Sequence, residues 1–137
     1  LTALRLCNNS IGEPGATSLG LSIRALTILQ SLLLSNNRMR DAGAASIAAS
    51  LGGLSCLRML ELSNNWIADD TAESLSLRFS GLVNLECLAL DDNPISNAGA
   101  ASLAATVGHL TSLRAFALQG SRIEEEGWDL LLGGLSA

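Results

Sequence analysis

Residues 29–39 read Leu-Gln-Ser-Leu-Leu-Leu-Ser-Asn-Asn-Arg-Met, and this skeleton returns every 28 residues along the chain. Leu29 opens one copy, and Leu1, Leu57, Leu85 and Leu113 open the others. Three residues on stand Leu4, Leu32, Leu60, Leu88 and Phe116; two further on stand Leu6, Leu34, Leu62, Leu90 and Leu118. Asn9, Asn37, Asn65, Asn93 and Ser121 occupy position 9, and Ile11, Met39, Ile67, Ile95 and Ile123 position 11. A fixed period of this length marks a solenoid, in which each unit buries its apolar face against its neighbours. The copies are 1–28, 29–56, 57–84, 85–112 and 113–137, one array with no break.

Each copy divides in two. Positions 1 to 8 alternate, with the leucines at 4 and 6 on one face, the pattern of a short half-buried strand. The Asn at position 9 ends it. A buried Asn both donates to and accepts from backbone that has left the strand ladder. Asn9, Asn37, Asn65 and Asn93 are therefore expected to stack as a structural ladder, with Asn64 a replaceable rim residue. A helix follows. Position 13 carries Glu13, Asp41, Asp69, Asn97 and Glu125, suited to a helix N-terminus as caps and against the dipole. Apolar or small residues at 16, 19, 20 and 23 form one stripe. Strands stacked about 4.8 Å apart against wider helices force a curve with the strands inside.

The pattern LxxLxLxxNxI, then an acid, then Gly-Ala and Leu on a helix, resembles the leucine-rich repeat. The even 28-residue length resembles its ribonuclease-inhibitor-like subclass. The resemblance implies an α/β fold, a right-handed solenoid or horseshoe with parallel strands on the concave face and helices on the convex face. It also implies a non-enzymatic, intracellular protein-interaction module. Members serve as scaffolds, sensors, activators of small GTPases or architectural subunits of large assemblies.

Composition narrows the partners. The chain holds thirteen acids and eight basic residues, all arginine, for a net charge of −5. Scattered Arg on an acidic chain is not the basic stripe of a nucleic-acid binder. No run approaches the roughly 20 apolar residues of a membrane span. Cys7, Cys56 and Cys87 fall at three different repeat positions with no CxxC pair and a single His109, so neither metal nor cofactor is expected. Scattered thiols fit a reducing, intracellular setting. The formal glycosylation acceptor Asn8-Asn9-Ser10 is read as an accident of the structural Asn. Leu1–Leu6 already reads as a core strand and Leu130–Leu135 has no polar cap, so the chain is expected to be a piece of a longer protein or to have ends covered by end-to-end or cap contacts.

Candidate contact residues follow from the same positions. Position 5 includes Leu33 and Glu61, position 3 includes Met59 and Cys87, and Leu33, Met59 and Cys87 make a soft patch on an otherwise small-sided, weakly polar strand face. Trp66 stands at position 10, where other copies have Ser10, Arg38, Pro94 and Arg122. Beside Arg38 it reads as an exposed anchor for a protein partner, or as a Trp lying flat over neighbouring loops. Repeat 3 departs from the pattern at Asp70-Thr71. Repeat 5 departs at Phe116, Ser121, Trp128 and Leu130, a greasier helix expected to pack on something unlike a regular repeat.

Overall fold

The computed structural model describes residues 1–136; Ala137, the last residue of the fifth copy, lies outside them. Five short strands, β1 (Ala3–Arg5), β2 (Ser31–Leu33), β3 (Met59–Glu61), β4 (Cys87–Ala89) and β5 (Ala115–Ala117), form one parallel sheet in chain order. The register advances by one whole repeat per strand: Leu4 faces Leu32, Leu32 faces Leu60, Leu60 faces Leu88, and Leu88 faces Phe116. The strands are shorter than the alternating pattern implies. Parallel pairing continues past them through bonds such as Leu6 N–H to Leu33 O and Asn8 N–H to Ser35 O, both 2.9 Å. It then stops at position 8, where Asn8, Asn36, Asn64, Asp92 and Gly120 are all left-handed. Asn, Asp and Gly are the residues that tolerate that conformation.

Five helices lie outside the sheet: α1 (Gly12–Ile23), α2 (Arg40–Ser50), α3 (Asp69–Ser76), α4 (Asn97–Thr106) and α5 (Glu125–Ser136). The core runs between the two layers. Leu32, Leu34, Leu60, Leu62, Leu88 and Leu90 are buried from the sheet, and Ala44, Ile47, Leu51, Ala72, Leu75, Phe79, Ala100 and Leu103 from the helical side. Each buried Leu contributes about 1.5–3 kcal/mol.

The helices stack closely because position 15 is small. A Cβ on Gly43 would sit 2.8 Å from the Ala16 Cβ, and one on Gly127 would sit 3.2 Å from the Ala100 Cβ. Repeat 3 has Thr71 there, and its hydroxyl is bonded to Asp41 Oδ1 at 2.6 Å. The side chain that departs from the pattern thus ties α3 to the preceding repeat.

The residues at position 13 correct the expectation of self-capping. Asp41 Oδ1 accepts from Ala68 N–H at 2.9 Å, one repeat further on. Asp69 Oδ1 accepts from Ser96 N–H at 2.8 Å and Gly99 N–H at 3.0 Å, while its Oδ2 accepts from the Ser96 hydroxyl at 2.6 Å. Asn97 Oδ1 accepts from Glu124 N–H at 2.9 Å. These side chains cap the next helix, not their own, because close stacking places one first turn directly beside the N-terminus of the following helix.

The asparagines at position 9 couple the repeats in the other sense. Asn9 N–H donates to Asn37 Oδ1 at 3.2 Å, Asn37 N–H to Asn65 Oδ1 at 2.9 Å, and Asn65 N–H to Asn93 Oδ1 at 2.9 Å. Each Nδ2 from Asn37 onward donates to the position 6 carbonyl of its own repeat and of the one before, as Asn65 does to Leu62 O at 3.1 Å and Leu34 O at 2.9 Å. Asn9 is exposed, whereas Asn37, Asn65 and Asn93 are buried. At Ser121 the shorter hydroxyl accepts only from Ile123 N–H at 3.4 Å.

Candidate functional site

Two surfaces present the candidate residues. On the strand face the register sets Ser31, Met59 and Cys87 side by side, and Leu33, Glu61 and Ala89 in the next row. Leu33, Met59 and Glu61 therefore share one patch over β2 and β3, with Met59 exposed and the other two half-buried. An open hollow of about 420 Å³ borders this patch, lined by Arg58, Glu86 and Arg114 among others. Arg58 Nε donates to Glu86 Oε1 at 2.9 Å across adjacent strands. The sequence reading passed over this pair, although opposite charges exactly one repeat apart at position 2 carried the signal.

Cys87 lies in the same hollow. Its thiol pKa is raised by burial first, then by the carboxylates of Glu61 and Asp91. The thiolate is the nucleophile, so this environment makes the sulfur less reactive, not more. His109 is exposed at the end of a one-turn 3-10 helix on the far side of the repeat. Among the described residues no group of three or more His, Cys, Asp or Glu side chains is placed to hold a metal ion. No helix among them is long and apolar enough to cross a membrane.

The second surface is the edge formed by the loops between strands and helices. Trp66 is 47% exposed there. The sequence places Arg38 beside it, since the two share position 10 in successive copies. The structure puts the Arg40 guanidinium over the ring instead, 5.1 Å from its centroid. Arg38 is exposed and lines the same open hollow of about 520 Å³, together with Gly12, Glu13, Pro14, Arg40 and Trp66. Arg38, Arg40 and Trp66 all have left-handed backbone with φ near +60°, and of the two arginines it is the one at position 12, not position 10, whose guanidinium reaches the ring.

That conformation costs an ordinary residue roughly 1–2 kcal/mol. The repeat does not require it. Among the described residues, Ser10, Pro94 and Arg122 hold position 10 without a positive φ, and Ala68, Ser96 and Glu124 do so at position 12. Bulky side chains in a strained backbone at an exposed edge are a feature of repeats 2 and 3 alone.

Asn64, expected to be a replaceable rim residue, is also left-handed. Its Nδ2 donates to Asn36 Oδ1 at 2.8 Å, and Asn36 Nδ2 donates to Asn8 Oδ1 at 2.7 Å. A second, exposed asparagine ladder therefore runs beside the buried one.

Further along, Asn97, Glu124, Glu125, Glu126, Asp129 and Leu130 line an acidic hollow of about 560 Å³. On the last helix Trp128, Leu130, Leu132 and Leu135 are all exposed to more than a third of their surface.

Comparison with known proteins adds three findings. A family model described as Leucine Rich repeat matches residues 25–48, 53–76 and 81–104, more than half of the chain. Its matches recur at the same 28-residue spacing. Among solved structures, an internalin from Listeria monocytogenes is 21% identical, with a TM-score of 0.40, over 97% of this chain and 46% of that one. The chain thus spans less than half the length of that protein. No curated protein matches it.

Proposed function

Since the chain belongs to the leucine-rich repeat family, we propose that it is a non-enzymatic module that binds a protein partner, as part of an intracellular scaffold or sensor. The observation that carries this reading is Trp66, half-exposed, stacked by Arg40 and held out by strained backbone at the loop edge. Exposed Trp and Arg are the commonest energetic anchors of protein interfaces. The patch of Leu33, Met59 and Glu61 on the strand face supplies a second, softer contact surface. The even repeat length supports the ribonuclease-inhibitor-like subclass.

A GTPase activator of the same subclass is the alternative, with Arg38, Arg40, Asp69 and Asp70 as the edge it would set against its partner. Asp69 counts against it. Its carboxylate is spent on Ser96 and Gly99, and that commitment holds its pKa below the ordinary carboxylate range: burial works against the charge, but the Ser96 hydroxyl and the two N–H groups outweigh it.

The test is photo-crosslinking from three positions, with a photoreactive side chain at 33 on the strand face, at 66 on the edge, or at 77 on the helical back. Saturable capture of one protein from 33 or 66, competed by unlabelled chain, supports the reading. Capture from 77 alone, or no competed capture at any position, overturns it.

A further inference from the structure

The loop edge has a chemistry that selects among protein partners. We propose that Arg38, Arg40, Trp66 and Pro14 form a docking site for a short acidic segment of a protein, one carrying carboxylates next to an apolar side chain. This rests on the protein-binding reading above and adds the class of partner.

The charges come first. Arg38 and Arg40 are exposed, and neither forms an ion pair among the described residues, where the ion pair present joins Arg58 to Glu86. The carboxylate next in sequence is not available to them. Asp41 turns inward, accepting from Ala68 N–H and from the Thr71 hydroxyl. Glu13 shares the hollow and is exposed. It repels carboxylates from its own part of the hollow, so they are directed to the part bearing the two guanidiniums.

The geometry suits a carboxylate. A guanidinium presents a planar fork of donors that matches a carboxylate in a bidentate pair. The cation–π contact holds the Arg40 guanidinium over Trp66, 5.1 Å from the ring centroid, beside the exposed part of the indole. The exposed part of the indole and the nearby Pro14 ring give an apolar side chain a surface beside the charges.

The same observations disfavour a long polyanion. Nucleic acid is held by a continuous basic stripe. The hollow holds two arginines beside Glu13, and the other exposed arginine of this edge, Arg122, stands apart in repeat 5 next to the acids Glu124–Glu126. A short acidic peptide matches a basic patch of that size.

A phage-displayed library of random short peptides, panned against the full chain at low and at physiological ionic strength, is the test. Enriched sequences are expected to combine Asp or Glu with an aliphatic or aromatic residue, and to bind more weakly as salt is raised. Affinity is expected to fall about tenfold or more in Arg40→Glu and about thirtyfold in Trp66→Ala, and to be unchanged in Leu77→Ala on the helical back. Circular dichroism establishes that each variant is folded, and Arg40→Gln replaces Arg40→Glu if the reversed charge unfolds the chain. Acidic peptides that ignore the Arg40 and Trp66 substitutions overturn the proposal, as do neutral or basic ones and a library with no enrichment. Peptides whose binding is instead abolished by Met59→Glu would move the site to the strand face, ending this proposal while leaving the protein-binding reading intact.

Discussion

Replacing the four ladder asparagines by leucine, one at a time, is expected to give a graded series with Asn93 most damaging and Asn9 least. The gradient follows from which N–H groups lose their acceptor. Asn93 Oδ1 accepts from both Asn65 N–H, at 2.9 Å, and Ile67 N–H, at 3.1 Å. Both donors are on wholly buried residues. Asn65 Oδ1 accepts from the buried Asn37 N–H alone, and Asn37 Oδ1 from the exposed Asn9 N–H. Leu34 O and Leu62 O are each shared by two carboxamides and keep one donor when the other is removed, whereas Leu90 O is served by Asn93 alone and adds to the loss in Asn93→Leu. An orphaned buried donor costs about 1–3 kcal/mol. On that basis Asn93→Leu should lose about 4 kcal/mol, Asn65→Leu about 2–3, Asn37→Leu about 1, and Asn9→Leu less than that. Urea unfolding followed by circular dichroism measures the losses. Amide hydrogen exchange localises them, with Asn65 and Ile67 accelerated in Asn93→Leu and Asn37 accelerated in Asn65→Leu. Equal losses at all four sites, or an Asn9→Leu cost matching that of Asn93→Leu, would refute the reasoning, because stability would then track the loss of an Asn and not the partners it serves.

Other outcomes follow from single contacts. Asn64→Ala should cost about 1 kcal/mol, well above a typical surface change, because Ala gains nothing from the left-handed backbone and breaks the bond to Asn36, whereas Asn64→Gly should cost less; thermal melts of both variants decide it. Arg38→Gly should stabilise the fold by about 1 kcal/mol, by relieving a left-handed Arg, while weakening binding of any partner at the edge; unfolding and binding measured on one preparation check the opposite signs. The folded pKa of Asp69 lies below its ordinary value of 3.8, so its stabilisation is complete above that value and is lost as pH falls through the folded pKa. Stability measured from pH 7 downward should therefore drop less steeply in acid for Asp69→Asn than for the parent. Ser121→Asn should extend the ladder by one rung and raise stability by about 1 kcal/mol in the same urea assay.

The repeat and its buried columns were legible because a solenoid writes the same contact five times, so Leu32, Leu60 and Leu88 declare their environment by recurrence. Recurrence is silent on what lies between copies. The period shows that Asp41 and Asp69 share a position, but not that their oxygens reach the following helix. That depends on how closely the helices stack, which position 15 decides. The left-handed column at position 8 carried its usual Asn, Asp and Gly signature. Arg38, Arg40 and Trp66 carry no such signature, since their side chains are ordinarily excluded from that conformation. The edge was therefore visible in the sequence as an exposed Trp beside an Arg, while the pairing of that Trp with Arg40 was not.

The two couplings between repeats point in opposite directions along the chain. A carboxylate or carboxamide at position 13 secures the helix of the repeat that follows it, whereas the Asn at position 9 receives the N–H of the repeat that precedes it. Melting an interior unit therefore disarms both neighbours, one through each latch, and a break has no favoured direction of travel. A chain under tension, as when a partner pulls on its edge, should yield as a block over repeats 2 to 4, where both latches are present, and fray singly only at repeats 1 and 5, where one of them is missing.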